Sequence, residues 1–426
     1  MKVLITISLL VVVLATQAQT IAVSEDLTLR NEASYELLGE ISGRILLFRN
    51  RITEFEVQGF DQSMKLVWSK LLDLDKRNPQ IIHIIPGKID FTILYLYRNK
   101  GNTIIKAQSY DAGANLIDSA TVKNLGYLFY TPGFEVVRSE DKTKLLLYHV
   151  ERQNIIKAMA VDIRTMKMLW EKNFLPDDYY YGQDLTHFVI DNEGNMHMMI
   201  ERDNYRSRKR QHFYEVWEYY GEDDQLRKFN ISMEGRLTYD VQFAFDNLNQ
   251  HLVAAGLFGE RDADRTVGYF YLNVDPENNK TPVLSFEPFD DELMANLLGK
   301  SNYNSNRGID EIKMSELVLR KDGGLLLIAE RTKELTRRAS SINNRAYYDS
   351  GSRAIIDYYY DELMVISIHP NGATHWKNVL HKKQYSQDDD AAYSSYFLFK
   401  TPSKVAVFFI IRGSFLSAST VLSRFK

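Results

Sequence analysis

Apolar and polar residues alternate along most of the chain in short runs broken by turn residues. A period of two predicts β-strands rather than helices. The clearest instance is LMVISIHPNGATHWKNVL, Leu363 to Leu380. There an apolar run, Leu363-Val365-Ser367, meets a Pro370-Asn371-Gly372 turn and returns through Trp376 to Leu380. Asn-Gly accepts the positive φ that tight hairpin turns need, so the stretch reads as a β-hairpin.

Such hairpins come in pairs. Tyr35 to Asn50 turns at Ser42-Gly43, and Ile52 to Leu72 turns after Asp61 and returns through Trp68. The pair recurs at Phe134 to Val150 and Ile155 to Phe174, where Asp162 and Trp170 replace Asp61 and Trp68 with one residue more between them. First hairpins start near residues 35, 81, 134, 186, 240, 316 and 396. Four strands in each repeat of about 50 residues predict an all-β chain folded as a β-propeller. A four-stranded sheet that is apolar on both faces buries them only between neighbouring sheets. A β-sandwich does not account for the repetition. Seven blades are expected rather than six, with Ile21 to Arg30 a candidate closing strand for the short seventh repeat. One short helical insertion is expected near residues 290–298. Asp290 or Asp291 caps it, Leu293, Met294, Leu297 and Leu298 form its apolar side, and Gly299 ends it.

The Trp hairpins resemble blades of quinoprotein-type and related propellers. The junction KKQYSQDDDAAYSSY, Lys382 to Tyr396, resembles one in a group of uncharacterised secreted bacterial propeller proteins. The resemblance implies architecture. It carries over no quinone-binding residues and no activity.

The 426 residues carry a net charge of −4, which offers no basis for a nucleic-acid partner. Lys2, the apolar core Val3 to Ala15 and the small-residue stretch Thr16-Gln17-Ala18 read as a signal peptide over residues 1–20. Its core is too short to span a bilayer, so no stable membrane insertion is expected. Residues 21–426 then form a single propeller domain. The chain has no Cys, which excludes disulfides and an acyl anchor on a cysteine. Periplasm or surface of a Gram-negative bacterium is the expected location, and a monomer the expected state.

Strand alternation puts the A–B and C–D turns of each blade at one end and the B–C and D–A connections at the other. The longer connections are nearly all of the second kind, so that end is the candidate working face. Its expected loops include Leu175 to Asp184, Glu201 to Gln211, Phe286 to Glu311, Arg331 to Arg353 and His381 to Tyr393. Tyr179, Tyr180 and Tyr181 offer flat rings with polar tips to a sugar or protein partner. Arg206, Arg208 and Arg210, with Arg337 and Arg338 in a second loop, offer forked contacts to carboxylates. Lys383 and Asp388 lie in the loop after Trp376, and Asp388-Asp389-Asp390 lacks the spacing of a Ca²⁺ loop. His375 and His381 show no evident partner. Solvated loops and core packing are the bland alternatives for all of these. No metal or cofactor is expected. The sequence thus points to a binding or scaffold module for a protein or glycan, with a polysaccharide-active enzyme as the alternative.

Overall fold

The structure is a computed structural model. It describes residues 22–25, 34–51, 54–75, 79–260, 265–276, 282–299, 308–338, 354–391, 394–401, 404–409 and 420–423. The signal-peptide stretch and most of the candidate closing strand lie outside the described residues. The chain divides into two compact units, Met1–Leu175 and Pro176–Lys426.

The first unit contains three sheets, each an antiparallel meander of four strands. They are β1 (Ser34–Ile41), β2 (Arg44–Arg51), β3 (Glu54–Phe60) and β4 (Leu66–Leu72); β5 (Gln80–Pro86), β6 (Asp90–Asn99), β7 (Asn102–Asp111) and β8 (Leu116–Tyr127); and β9 (Glu135–Arg138), β10 (Lys144–Glu151), β11 (Ile155–Asp162) and β12 (Lys167–Phe174). Leu46, Phe48 and Val57 of the first sheet pack on Ile93 and Tyr95 of the second. Leu94 and Ile105, from the other face of that second sheet, pack on Leu145 and Met159 of the third.

The second unit continues the pattern. Its first two sheets are β13 (Thr186–Ile190), β14 (Met196–Arg202), β15 (Phe213–Tyr220) and β16 (Gln225–Ser232), then β17 (Leu237–Asp246), β18 (His251–Gly259), β19 (Gly268–Val274) and β20 (Val283–Pro288). Helix α1 (Asp291–Leu298) follows. The next sheet has β21 (Ile312–Leu319), β22 (Leu325–Arg338), β23 (Ala354–Ile368) and β24 (Thr374–Leu380), with β25 (Gln384–Gln387) pairing the early part of β23. Three described strands, β26 (Phe397–Lys400), β27 (Lys404–Phe408) and β28 (Thr420–Ser423), make the last sheet. Apolar clusters again join each sheet to the next within the unit. Among the described residues the chain is all-β apart from α1, and the seven sheets are β-propeller blades.

The Trp hairpins share a local device. Trp68, Trp170 and Trp376 each stand across from a small residue, Gly59, Ala160 and Ser367 respectively. The register slips immediately after that residue in all three hairpins, the mark of a β-bulge. At Gly59 the Trp68 indole fills the space left opposite, where any Cβ would meet its ring. A Gly59→Val substitution is expected to cost about 1–3 kcal/mol, read as a lowered urea midpoint at unchanged slope.

Side chains also close the turns. The Asp61 carboxylate accepts hydrogen bonds from the Ser63 and Lys65 amides at 2.9 and 3.0 Å. Asp111 does the same for Gly113 and Asn115, both at 2.8 Å. These are Asx turns, which explains the recurrent Asp. The Leu363–Leu380 hairpin turns at Pro370-Asn371-Gly372 as expected, but positive φ is not shared by Asn371 and Gly372. Its connection runs from His369 to Ala373, closed by the His369 amide donating to the Ala373 carbonyl at 2.9 Å. Gly372 alone takes the left-handed conformation, φ 82°, while Asn371 stays outside it. Pro370 is the reason: fixed at negative φ, it starts a longer turn.

Helix α1 has the expected caps. The Asp290 carboxylate accepts from the Leu293 amide at 2.9 Å, and Gly299 closes the far end on the Ala295 carbonyl at 3.0 Å. Leu293, Met294 and Leu297 are buried against the fifth and sixth sheets. Among the described residues, no helix is long and apolar enough to cross a membrane.

Candidate functional site

Two of the expected loops meet at one end of the fourth sheet, the second unit's first. Residues 176–185 lead into β13, and 203–212 join β14 to β15. Strand direction places both connections at the same end, and the structure fixes them there through Arg202.

Arg202 is the last residue of β14. Its guanidinium donates to the carbonyls of Asp177 and Asp178 at 2.8 and 3.2 Å, and to the Asp184 carboxylate at 3.4 Å. Its Nε donates to Glu215 Oε2 at 3.0 Å, while the other Glu215 oxygen accepts from the Trp217 indole at 2.7 Å. Five donors in a rigid fork suit this many partners. The 176–185 loop is thereby stapled to β14 and β15.

The second loop is held from below. Asn204 exchanges two hydrogen bonds with the Thr238 backbone, at 2.5 and 3.1 Å. Buried His212 has Nδ1 2.8 Å from the Arg202 carbonyl and Nε2 2.7 Å from Thr238 Oγ1. A carbonyl only accepts, which assigns the proton to Nδ1, and burial keeps the ring's pKa below its usual value. Tyr214 OH joins the same network, 2.8 Å from Thr238 Oγ1 and 3.3 Å from Glu201 Oε2. Burial raises the pKa of the Glu201 carboxyl above the ordinary carboxylate range, partly offset by these side-chain hydrogen bonds.

Between the loops lies a cleft of about 480 Å³. Asp177, Asp178, Asp184, Glu201, Asp203 and Glu215 line it against only two cations, Arg202 and Arg210. Both cations are already engaged, since Arg210 Nη1 pairs with Asp203 at 3.2 Å. Tyr205 lines the cleft too, with its hydroxyl 3.2 Å from Asp203. The site is therefore acidic, with an exposed aromatic face beside it. Among the described residues, no group of three or more His, Asp or Glu is arranged to hold a metal ion.

The residues singled out from sequence separate clearly. Tyr180 and Tyr181 are exposed in the first loop, at 57% and 55%. Tyr179 is buried at 3% and bonded to Thr186, so it is a packing residue and no ligand platform. Arg206 and Arg208 are exposed and pair with no described carboxylate. Arg337 and Arg338 correct the expected loop 331–353: residues up to Arg338 continue strand β22, paired with β23 as far as Ala354. Arg337 grips buried Asp357 with two nitrogens, and the Tyr385 hydroxyl adds a bond at 2.8 Å. Those hydrogen bonds, Arg337's first, hold the Asp357 carboxyl below its usual pKa despite burial. Lys383 is exposed. Asp388 exchanges bonds with the Ile356 backbone at 2.8 and 3.0 Å and so extends the β23 edge. None of Arg337, Lys383 and Asp388 lines the cleft. His375 does have a partner, the His369 ring at 4.5 Å. Arg202, Glu201 and His212 carried no signal beyond their place at strand ends.

No family model and no curated protein matches this chain. Solved structures offer remote likenesses. The chain is similar to an uncharacterized protein from Listeria monocytogenes EGD-e, with 10% identity over 78% of this chain and 73% of that one and a TM-score of 0.37. The β-propeller domain of the Trilobed protease from Pyrococcus furiosus shares 9% identity over 90% of each chain, with a TM-score of 0.37. The WD40 domain of SCAP from fission yeast shares 10% identity over 86% of this chain and 79% of that one, with a TM-score of 0.36. These likenesses concern fold alone.

Proposed function

We propose that the protein is an exported binding module that takes a protein or glycan ligand at the cleft of its fourth sheet. The observation that carries this reading is the acidic cleft, held open by a buried framework and flanked by exposed tyrosines. Its carboxylates suit a ligand rich in amino or hydroxyl groups, because carboxylates accept hydrogen bonds from both. Tyr180, Tyr181 and Tyr205 offer ring faces for stacking or cation–π contact. Periplasm or cell surface is the compartment in this reading.

Titration against basic peptides and an array of neutral and amino sugars tests it. Asp203→Asn and Tyr205→Ala are each expected to weaken binding at least about tenfold, the usual consequence of removing a central contact. Binding that survives both substitutions places the ligand elsewhere.

Glu201 favours a second reading, in which the cleft cleaves a polysaccharide. A carboxyl whose pKa is raised by burial is better suited than an ordinary one to protonate a leaving oxygen, and a second carboxylate of the cleft would assist. New reducing ends that appear with the intact protein and vanish in Glu201→Gln would establish it.

A further inference from the structure

A different surface lies in the first unit, at one end of the second sheet. Strands β6 and β7 are joined there by a tight turn at Lys100 and Gly101, with φ of 49° and 86°. Strand β8 ends beside it at Tyr127, and the chain continues through Leu128, Phe129 and Tyr130. Tyr127, Phe129 and Tyr130 are 75%, 75% and 80% exposed. Three neighbouring rings this bare are rare on a soluble surface.

The tip is ordered by its own contacts. Arg98 Nη2 reaches the carbonyls of Leu128 and Phe129, each at 3.4 Å, and Thr131 Oγ1 at 3.3 Å. Phe129 and Tyr130 meet edge to face at 4.9 Å. The Tyr127 ring lies over Gly101. The rings are thus presented outward on a fixed support.

Charge decides what they meet. The chain has no Asp or Glu between Asp90 and Asp111, and none between Asp118 and Glu135. Exposed Arg98 and Lys100 therefore lie on a stretch of chain that carries no carboxylate, in a protein that is acidic overall. Bare aromatic rings beside cations, on a projecting tip, fit the headgroup layer of a bilayer, where Tyr and other rings settle and Lys or Arg meets lipid phosphate. A glycan or peptide pocket would instead enclose its ligand and supply matched acceptors. Phe129 has no polar atom to offer either. We propose that this tip docks the protein reversibly on an anionic lipid surface. Three side chains make a shallow contact, so the chain is held against the membrane without spanning it.

Sedimentation of the full chain with phosphatidylcholine vesicles, with and without phosphatidylglycerol, tests the proposal. Partitioning is expected to be at least about tenfold stronger on the anionic vesicles and to fall as salt is added. The double variant F129S/Y130S is expected to lose at least about tenfold in partitioning. Its thermal midpoint should match the parent, because both side chains are exposed. Lys100→Glu should weaken anionic binding alone. A parent protein that stays in the supernatant with anionic vesicles overturns the proposal, as does full binding by F129S/Y130S or equal binding to both vesicle types. Ligand binding at the fourth-sheet cleft is unaffected by either result.

Discussion

Replacing His197 by alanine is expected to lower the unfolding free energy by about 3–5 kcal/mol, the range for stripping one partner from a buried charge group. His197 is fully buried on β14, with its ring stacked on Phe245 at 4.5 Å. Its Nδ1 lies 3.3 Å from Glu218 and its Nε2 3.9 Å from Asp191. Both carboxylates are buried as well. Burial opposes charge on the ring, yet the two carboxylates outweigh it and raise the His197 pKa. Removing the imidazole leaves two buried acids facing each other. Asp191 has a second duty, accepting the Glu193, Gly194 and Asn195 amides at 2.9, 2.7 and 2.8 Å, so repulsion there also disturbs the β13–β14 turn.

The pH dependence has a definite sign. Because the folded pKa of His197 is raised, its contribution is fully present below the ordinary value of about 6.5 and is lost as pH rises through the folded value. Asp191 behaves oppositely. Burial opposes its charge, but hydrogen bonds from His197 and Asn195 outweigh that and lower its pKa. Its contribution is present above about 3.9 and is lost as pH falls through the folded value. Burial lowers the pKa values of His83, His149, His187 and His212, so these act in the opposite sense in parent and variant alike. The cost of His197→Ala in urea unfolding is therefore expected to be larger at pH 6 than at pH 8, and an equal cost at both would remove His197 from the pH dependence.

Lys382→Met is expected to cost a similar amount, about 3–5 kcal/mol. Lys382 is 5% exposed and ion-paired with Glu330, which is 2% exposed. Its ammonium also donates to the Tyr360 carbonyl at 3.1 Å and to Gln384 at 2.8 Å, while Ser395 donates to the other Glu330 oxygen at 2.7 Å. Burial moves the two groups toward neutrality, lowering the lysine and raising the acid, with the mutual attraction working against it. Without the lysine, Glu330 is stranded in the sheet. The double variant E330Q/K382M should recover much of the loss, since an uncharged pair has far less desolvation to overcome. A single-variant cost below 1 kcal/mol would show that water reaches the pair.

Much of the fold was legible because it is local. Period-two alternation marked the strands, Asp61, Asp111 and Asp162 marked the turns they close, and Asp290 with Gly299 bracketed α1. Those signals act within a few residues and survive without tertiary context. The working loops were legible in part. Exposure of Tyr180, Tyr181, Arg206 and Arg208 followed the expectation, yet Tyr179 turned inward beside them. A cluster of three tyrosines does not say which ring the packing needs.

Adjacent lysines show the limit most plainly. Lys383, chosen from sequence, faces solvent, and Lys382 beside it is buried on Glu330. Arg337 and Asp357 likewise lie on two strands, β22 and β23, and become a pair only when these run together beyond the blade. The sequence by itself determined the all-β class, the repeat of antiparallel hairpins and the capped helix, because hydrogen-bonded strands and caps follow from residue spacing. Only the tertiary structure decided the acidic cleft, the His197 group and the Lys382–Glu330 pair. Each of these joins side chains from different strands or loops, and a charge is tolerable in a buried site only where a partner arrives through the fold.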